Sequence, residues 1–169
     1  LTDLADISVR PARADDAESI WPMLRGVIRG GESFAIDRGL TRDRALKMWL
    51  EAPRATYVTE HQGEVLGTYY INTNHPGGGA HVCNCGYIVA PQARGQGLAR
   101  AMCLHSQAEA RKLGYLAMQF NLVVTTNTAA VHLWQDMGFD TVGRLPRAFD
   151  HPRDGLVDAL VMMKWLDGV

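Results

Sequence analysis

The stretch IVAPQARGQGLAR, Ile88 to Arg100, restricts the fold more than any other part of the chain. An apolar, strand-like run meets a proline, and Arg94, Gly95, Gln96 and Gly97 then lead directly into a helical pattern. The spacing Gln92-x-x-Gly95-x-Gly97 lacks the Gly-Lys-Ser/Thr ending of a Walker loop, and Arg100 stands where a Rossmann fingerprint needs its third glycine. What remains is a strand-to-helix turn whose side-chain-free residues let backbone N–H groups converge on an anion at a helix N-terminus. A pyrophosphate suits such a turn, although an ordinary glycine turn would read the same way.

Periodicity extends the pattern in both directions. Ile7 to Arg10 reads as a strand, Asp15 to Arg29 as a helix that Pro22 should bend, and GGESFAIDRGL as a loop. Thr41 is placed to cap a helix from Arg42 to Glu51 that stops before Pro53. TYVTE and EVLGTYYINT flank the turn HQG as a hairpin, and NHPGGGA leads to a strand from His81 to Ala90. A helix from Gly97 to Leu113 follows, with Leu98, Ala101, Met102 and Ala108 on its core-facing stripe and His105 among them as a satisfied boundary histidine. LAMQFNLVV is a strand, NTAAVHLWQDM a helix closed by Gly138, and FDTVGRL and LVDALVMMKWL are the last two strands. The order β-α-α-β-β-β-α-β-α-β-β describes an α/β chain with a mixed sheet (α+β mixed sheet), and 169 residues without a linker describe one domain spanning 1–169.

Composition narrows the partner. Seventeen basic and eighteen acidic residues give a net charge of −1 with no block of like charge, so neither a nucleic-acid nor a membrane footprint is expected. No apolar run reaches the roughly 18 residues that span a bilayer, and LTDLADISVRPARADD lacks the regions of a signal peptide, so a cytoplasmic location is expected. His81, Cys83 and Cys85 alternate along one strand and could share a face. A structural zinc site needs four ligands, however, and no second Cys pair exists, so buried thiols and no metal are the expectation.

A second motif lies about forty residues beyond the glycine turn. There NTAAVHLWQDMGF opens a helix on Asn127 and ends on Gly-Phe. Together, VAPQARGQG and this segment resemble the two signatures of the GCN5-related N-acetyltransferase (GNAT) family, and the element order resembles that fold along essentially the whole chain. The resemblance implies acetyl-CoA as co-substrate. The backbone at Ile88 and Val89 would hold its pantetheine arm, Arg94, Gly95, Gln96, Gly97, Leu98 and Ala99 its pyrophosphate, and Asn127 would bind near the pantetheine. It also implies two central parallel strands, Cys83 to Val89 and Ala117 to Val123, that splay to admit the thioester.

The chain departs from the family at the chemical step. Many relatives carry a Glu on the cofactor strand and a Tyr on the last long helix, whereas this strand offers Asn84 and Cys85 and the helix offers Trp134. An indole donates a hydrogen bond but not a proton. Asn84 and Asn121 fall at mid-strand where asparagine is disfavoured, either to satisfy backbone groups exposed by the splay or as catalytic, substrate-binding dipoles. FNLVVTTN and VCNCGYIVAP resemble the branch that acetylates proline analogues such as azetidine carboxylate, and more loosely amino-acid and phosphinothricin acetyltransferases. Glu32 and Phe34 resemble positions lining the acceptor pocket, with Glu32 either a water-mediated base or a solvated loop residue. Tyr69, Tyr70 and His75 could wall the same side, and the loop RLPRAFDHPRDG, with Arg144, Arg147, His151 and Arg153, could form a lid over an anionic substrate. The expected activity is acetyl transfer to the amine of a small molecule, an amino acid or analogue. Acetylation of a peptide amine and a non-catalytic acyl-CoA-binding module are the alternatives, and association as a homodimer stays open.

Overall fold

In the computed structural model, which describes residues 7–166, seven strands and four helices follow the expected order. Residues 1–6 and 167–169, the ends of the expected 1–169 domain, lie outside the described residues. β1 (Ile7–Pro11) is followed by α1 (Ala17–Gly30) and α2 (Arg42–Leu46), which continues as a π-helical turn over Lys47–Glu51. β2 (Ala55–His61), β3 (Glu64–Thr73) and β4 (Val82–Val89) form a meander. α3 (Leu98–Lys112), β5 (Ala117–Val124), α4 (Thr128–Asp136), β6 (Asp140–His151) and β7 (Gly155–Trp165) complete the chain. The strands make one mixed sheet in the order β1-β2-β3-β4-β5-β7-β6, in which only β4 and β5 run parallel. Among the described residues no helix is long and apolar enough to cross a membrane.

Strand alternation sends side chains to two cores, one on each face of the sheet. On one face Ile20, Leu24 and Ile28 of α1 pack with Trp49, Val58 and Ile88. On the other, Met102, Cys103 and Ala110 of α3 and Trp134 of α4 pack with Tyr69, Cys83, Cys85, Met118 and Phe120. The faces explain one difference from the sequence pattern. Ala108 is exposed, and the buried stripe of α3 is instead Leu98, Met102, Cys103, Ser106, Gln107 and Ala110. His105 is half-buried, with its Nδ1 2.6 Å from Tyr69 OH.

α1 runs through Pro22 as one helix, with the proline on its exposed face. Two local expectations change. Thr41 does stand at the start of α2, but its hydroxyl makes no capping bond, and only its carbonyl is engaged, by the N–H of Ala45. The expected lid is not a loop: β6 extends to His151 and pairs with β7 to the Gly155 turn. The register jumps between Leu145 and Phe149, so a bulge takes up Pro146 and Arg147 without ending the strand.

Candidate active site

The parallel pair is the origin of the site. β4 and β5 are paired only at Val82↔Ala117 and Cys83↔Met118, and beyond these two positions they part. β4 itself stays in regular register with β3 as far as Val89, while β5 carries an extra residue between Phe120 and Val123. Ala90 N–H bonds Leu66 O and Asn74 N–H bonds Val82 O, so the even-numbered residues of β4 exchange their bonds with β3. The main-chain groups of Cys85, Tyr87 and Val89 therefore face the gap. The gap opens into a cleft of about 860 Å³, lined by both strands, the start of α3, α4, the loop after α1 and the β6–β7 turn.

Side-chain amides cross the closed end of the gap. Tyr70 OH donates to Asn84 Oδ1 (3.3 Å), and Asn84 Nδ2 donates to the main-chain carbonyl of Gln119 (2.9 Å). Gln119 Nε2 donates to Asn121 Oδ1 (3.0 Å), and Asn121 Nδ2 donates to Asn74 Oδ1 (2.7 Å). An amide offers two N–H donors and two lone pairs. These bonds use one of each on both Asn84 and Asn121, leaving each residue a donor and an acceptor for a ligand.

The glycine turn forms the mouth of the cleft on the α3 side. Gly95 and Gly97 have φ of +73° and +84°, a region that favours glycine, and a Cβ built on Gly95 would meet no protein atom within 4 Å. Gln96 Nε2 braces the turn on Gln92 O (3.0 Å). The N–H groups of Leu98, Ala99 and Arg100 lie in the first turn of α3, where no carbonyl of their own helix can reach them. With the helix dipole and the exposed Arg94 at the rim, they make a cradle for an anion.

Opposite the turn, the wall is aromatic. Phe34 and Tyr70 pack around Trp49, at 6.0 and 4.9 Å between ring centroids, and lean over Gly86. Burial pushes the Tyr70 hydroxyl up to about 12, and raises the Tyr87 hydroxyl and the Cys85 thiol well above their ordinary values. All three keep their protons at neutral pH. Glu32 Oε1 pairs with Arg153 (3.0 Å), joining the loop after α1 to the β6–β7 turn. His151 is buried beside it, its Nδ1 held within 3.3 Å by the N–H groups of Arg153 and Asp154 and 3.1 Å from Asp154 Oδ2.

Glu32, Phe34, Asn84, Ile88, Val89, Arg94, Gly95, Gly97, Leu98, Ala99, Asn121 and Asn127 all line this one cleft. Within that set, Ile88 pairs its main chain with Thr68 of β3, so Val89 is the member of the Ile88–Val89 pair that faces the gap. Asn127 caps α4 by accepting from Ala130 N–H (3.3 Å). Trp134 is buried among Phe120 and Tyr87, with centroids at 4.8 and 5.1 Å. Tyr69 lies on the other face, stacked on Tyr57, and His75 is exposed away from the cleft, leaving Tyr70 alone of the three expected wall residues. Arg144 and the main-chain N–H of Arg147 are tied to Asp158, and the part of the supposed lid that reaches the site is His151, Arg153 and Asp154. Cys83 and Cys85 are buried, whereas His81 stacks in the open on Trp165, and among the described residues no cluster could hold a metal. Two further residues at the gap, Gly86 and Gln119, belong to neither sequence motif. Gly86 shares the Asn84 face two residues on, and Gln119 shares that of Asn121, so period-two alternation carried both signals.

Comparison with known proteins agrees with this geometry. A family model described as the acetyltransferase (GNAT) family matches residues 21–139. The curated N-acetyltransferase aca1 of Schizosaccharomyces pombe is 29% identical over 151 residues, covering 79% of this chain and 72% of the relative. A solved GCN5-related N-acetyltransferase from Kribbella flavida superposes with a TM-score of 0.92 at 40% identity, covering 96% of this chain and 99% of that one. The structure of yncA from Salmonella typhimurium with its cofactor acetyl-CoA shares the fold, with a TM-score of 0.84 at 23% identity over 96% of this chain and 95% of that one.

Proposed function

The chain belongs to the GNAT acetyltransferase family and is an N-acetyltransferase, and from that premise we propose that it acetylates the amine of a small molecule, an amino acid or close analogue, with acetyl-CoA as donor. When bound, acetyl-CoA supplies an acyl thioester, so that a C–N bond forms to the amine as the C–S bond breaks and CoA leaves as the thiol.

The chain's own groups fit that donor. The Gly95–Gly97 cradle and the first-turn N–H groups of α3 suit a pyrophosphate, with Arg94 adding a cation at the rim. The outward main-chain edge of Val89, Tyr87 and Cys85 suits the amides of a pantetheine arm. Trp134 supplies apolar volume beside it.

The acceptor reading rests on one observation: two neutral amides, Asn84 and Asn121, flank the end of the splay, each with a spare donor and acceptor. An amine with a lysine-like pKa of about 10.4 is neutral only about one part in a thousand near pH 7.4, a handicap of roughly 4 kcal/mol. Tyr70, Tyr87 and Cys85 hold their own protons and do not take this one. The spare lone pair of Asn84 Oδ1 orients the amine toward the gap, and the spare N–H of Asn121 receives the acceptor's carboxylate. Thiol release measured against a panel of free amino acids and matched peptides tests the proposal. Turnover with free amino acids is expected, and activity confined to peptides would reject it.

A further inference from the structure

We propose that Asn84 is a positioning residue that ends the β4–β5 ladder: its side-chain amide occupies the main-chain carbonyl of Gln119, and thereby leaves the N–H of Cys85 as a donor to a ligand carbonyl in the cleft. The argument is one of hydrogen-bond bookkeeping along a parallel pair. Such a ladder zigzags evenly, each outward-facing residue donating to one partner and accepting from the residue two further on. With Ala117 N–H on His81 O (3.4 Å) and the pairs Val82↔Ala117 and Cys83↔Met118, the next rungs run from Gln119 N–H to Cys83 O and from Cys85 N–H to Gln119 O. The last of these is not made. Gln119 O instead accepts from Asn84 Nδ2 at 2.9 Å. A carbonyl only accepts, so the atom of Asn84 that faces it is the nitrogen, and Tyr70 OH on Oδ1 keeps the amide that way round.

Nothing in β4 itself parts the strands, because its register with β3 is unbroken to Val89. The departure lies in the Asn84 amide and in the β5 bulge that begins just beyond Gln119. Without the amide, Gln119 O loses its partner, and the nearest unpaired donor facing it is Cys85 N–H. The ladder then closes by one rung, and the donor is lost to the ligand. The identity of that ligand rests on the function proposed above; the ladder argument does not.

Hydrogen exchange at the Cys85 amide, followed by NMR in the ligand-free protein, tests this directly. In the wild type Cys85 should exchange at least about tenfold faster than Cys83, whose rung is made. Asn84→Ala should slow Cys85 exchange about tenfold and weaken acetyl-CoA binding by calorimetry about tenfold, whereas Tyr70→Phe, which leaves the Gln119 bond in place, should hold Cys85 within about threefold of wild type. Asn84→Ser, too short to span the gap, carries the same measurement if the alanine variant does not fold. Wild-type protection of Cys85 equal to that of Cys83, or unchanged exchange in a folded Asn84 variant, overturns the proposal. A wild type that acetylates no amine while Cys85 behaves as described removes the proposed function and leaves the positioning role standing.

Discussion

Gly86 lies directly beneath the ring of Tyr70, so closely that a Cβ at this position would stand 2.7 Å from Tyr70 Cε1 and 3.0 Å from Phe34 Cε1. Tyr70 cannot swing away freely, because its ring meets the fully buried Trp49 edge-on at 4.9 Å. Gly86→Ala should therefore push both rings into the acceptor side of the cleft, raising the acceptor KM about tenfold and lowering stability by roughly 1–3 kcal/mol. The KM for acetyl-CoA should stay within about threefold, since the main chain of Gly86 pairs with Tyr70 of β3 and does not face the gap. Steady-state kinetics with each substrate varied, and a thermal melt, would show whether the two effects separate in this way.

The second expectation concerns the anion cradle. A side chain at Gly95 touches no protein atom, so Gly95→Ala should cost only the roughly 1–2 kcal/mol of holding a non-glycine residue at positive φ. Any larger effect must come from what enters the open space. Gly95→Val and Gly97→Val should weaken acetyl-CoA binding about tenfold or more in a folded protein. Calorimetry returning wild-type affinity for a folded Gly97→Val would remove the pyrophosphate from this turn.

Trp134 tests the role of the α4 position. Its ring fills space between Phe120 and Tyr87 and has no proton to give. Trp134→Phe should keep turnover within about fivefold, and Trp134→Ala should lose about 3–5 kcal/mol of stability. A hundredfold drop in kcat for the phenylalanine variant, with unchanged affinity for acetyl-CoA, would mean that the indole N–H itself acts in the reaction.

Asn121 and Asn84 should respond differently. Asn121 is exposed at the cleft and bonded only to Gln119 and Asn74 side chains, so Asn121→Ala should act on the acceptor alone. We expect its KM for a free amino acid to rise about tenfold to a hundredfold with kcat little changed, the signature of a lost ground-state contact to a charged group. Equal losses in kcat and kcat/KM would place Asn121 at the transition state instead.

A fifth expectation lies outside the cleft. Arg10 grips both carboxylate oxygens of the buried Asp16 at 2.8 Å and Glu60 at 2.5 Å, joining β1 to the entrance of α1 and to β2. The bonds from the Arg10 guanidinium hold the Asp16 carboxyl below its ordinary range, helped by the Arg13 N–H. A carboxyl with a depressed folded pKa stabilises above its unfolded value of about 3.9, and that contribution is lost as pH falls through the folded value. Asp16→Asn should thus cost about 1–2 kcal/mol in urea unfolding at pH 7, and the gap to wild type should shrink toward about pH 2. A gap that is the same at both pH values would mean that shape, not charge, accounts for it.

Local chemistry made some of this readable in advance. The glycine turn, the ends of α3 and α4 and the depth of Asn84 and Asn121 in their strands depend on neighbours a few residues apart, and the structure has them where spacing put them, to within a residue. Face assignment was harder. Tyr69 and Tyr70 are adjacent aromatics, and only the sheet decides that one goes under α3 while the other walls the cleft. RLPRAFDHPRDG looks like a loop because proline and charge disfavour a strand, but β6 is an edge, where a missing N–H costs little and pairing with β7 prevails. The Asn84 bond to a main-chain carbonyl 35 residues away could not be read from any pattern.

The two cores also determine how the sheet can give. On the α3 face, Cys85 and Tyr87 of β4 pack in one cluster with Phe120, Trp134 and Met162 from beyond the gap, so this face is stitched across the split. The cluster beneath α1 and α2 draws on β2, β3 and β4 but on neither β5 nor β7. One side of the split is sewn by apolar packing, and the other is bridged by polar contacts, the Asn84 and Asn121 amides and the Glu32–Arg153 pair. A bulkier guest should therefore be accommodated by the half-sheets tilting apart on the α1 side, where water can replace the polar bridges, like a book opened from its looser edge, while the pages near Trp134 stay where they are.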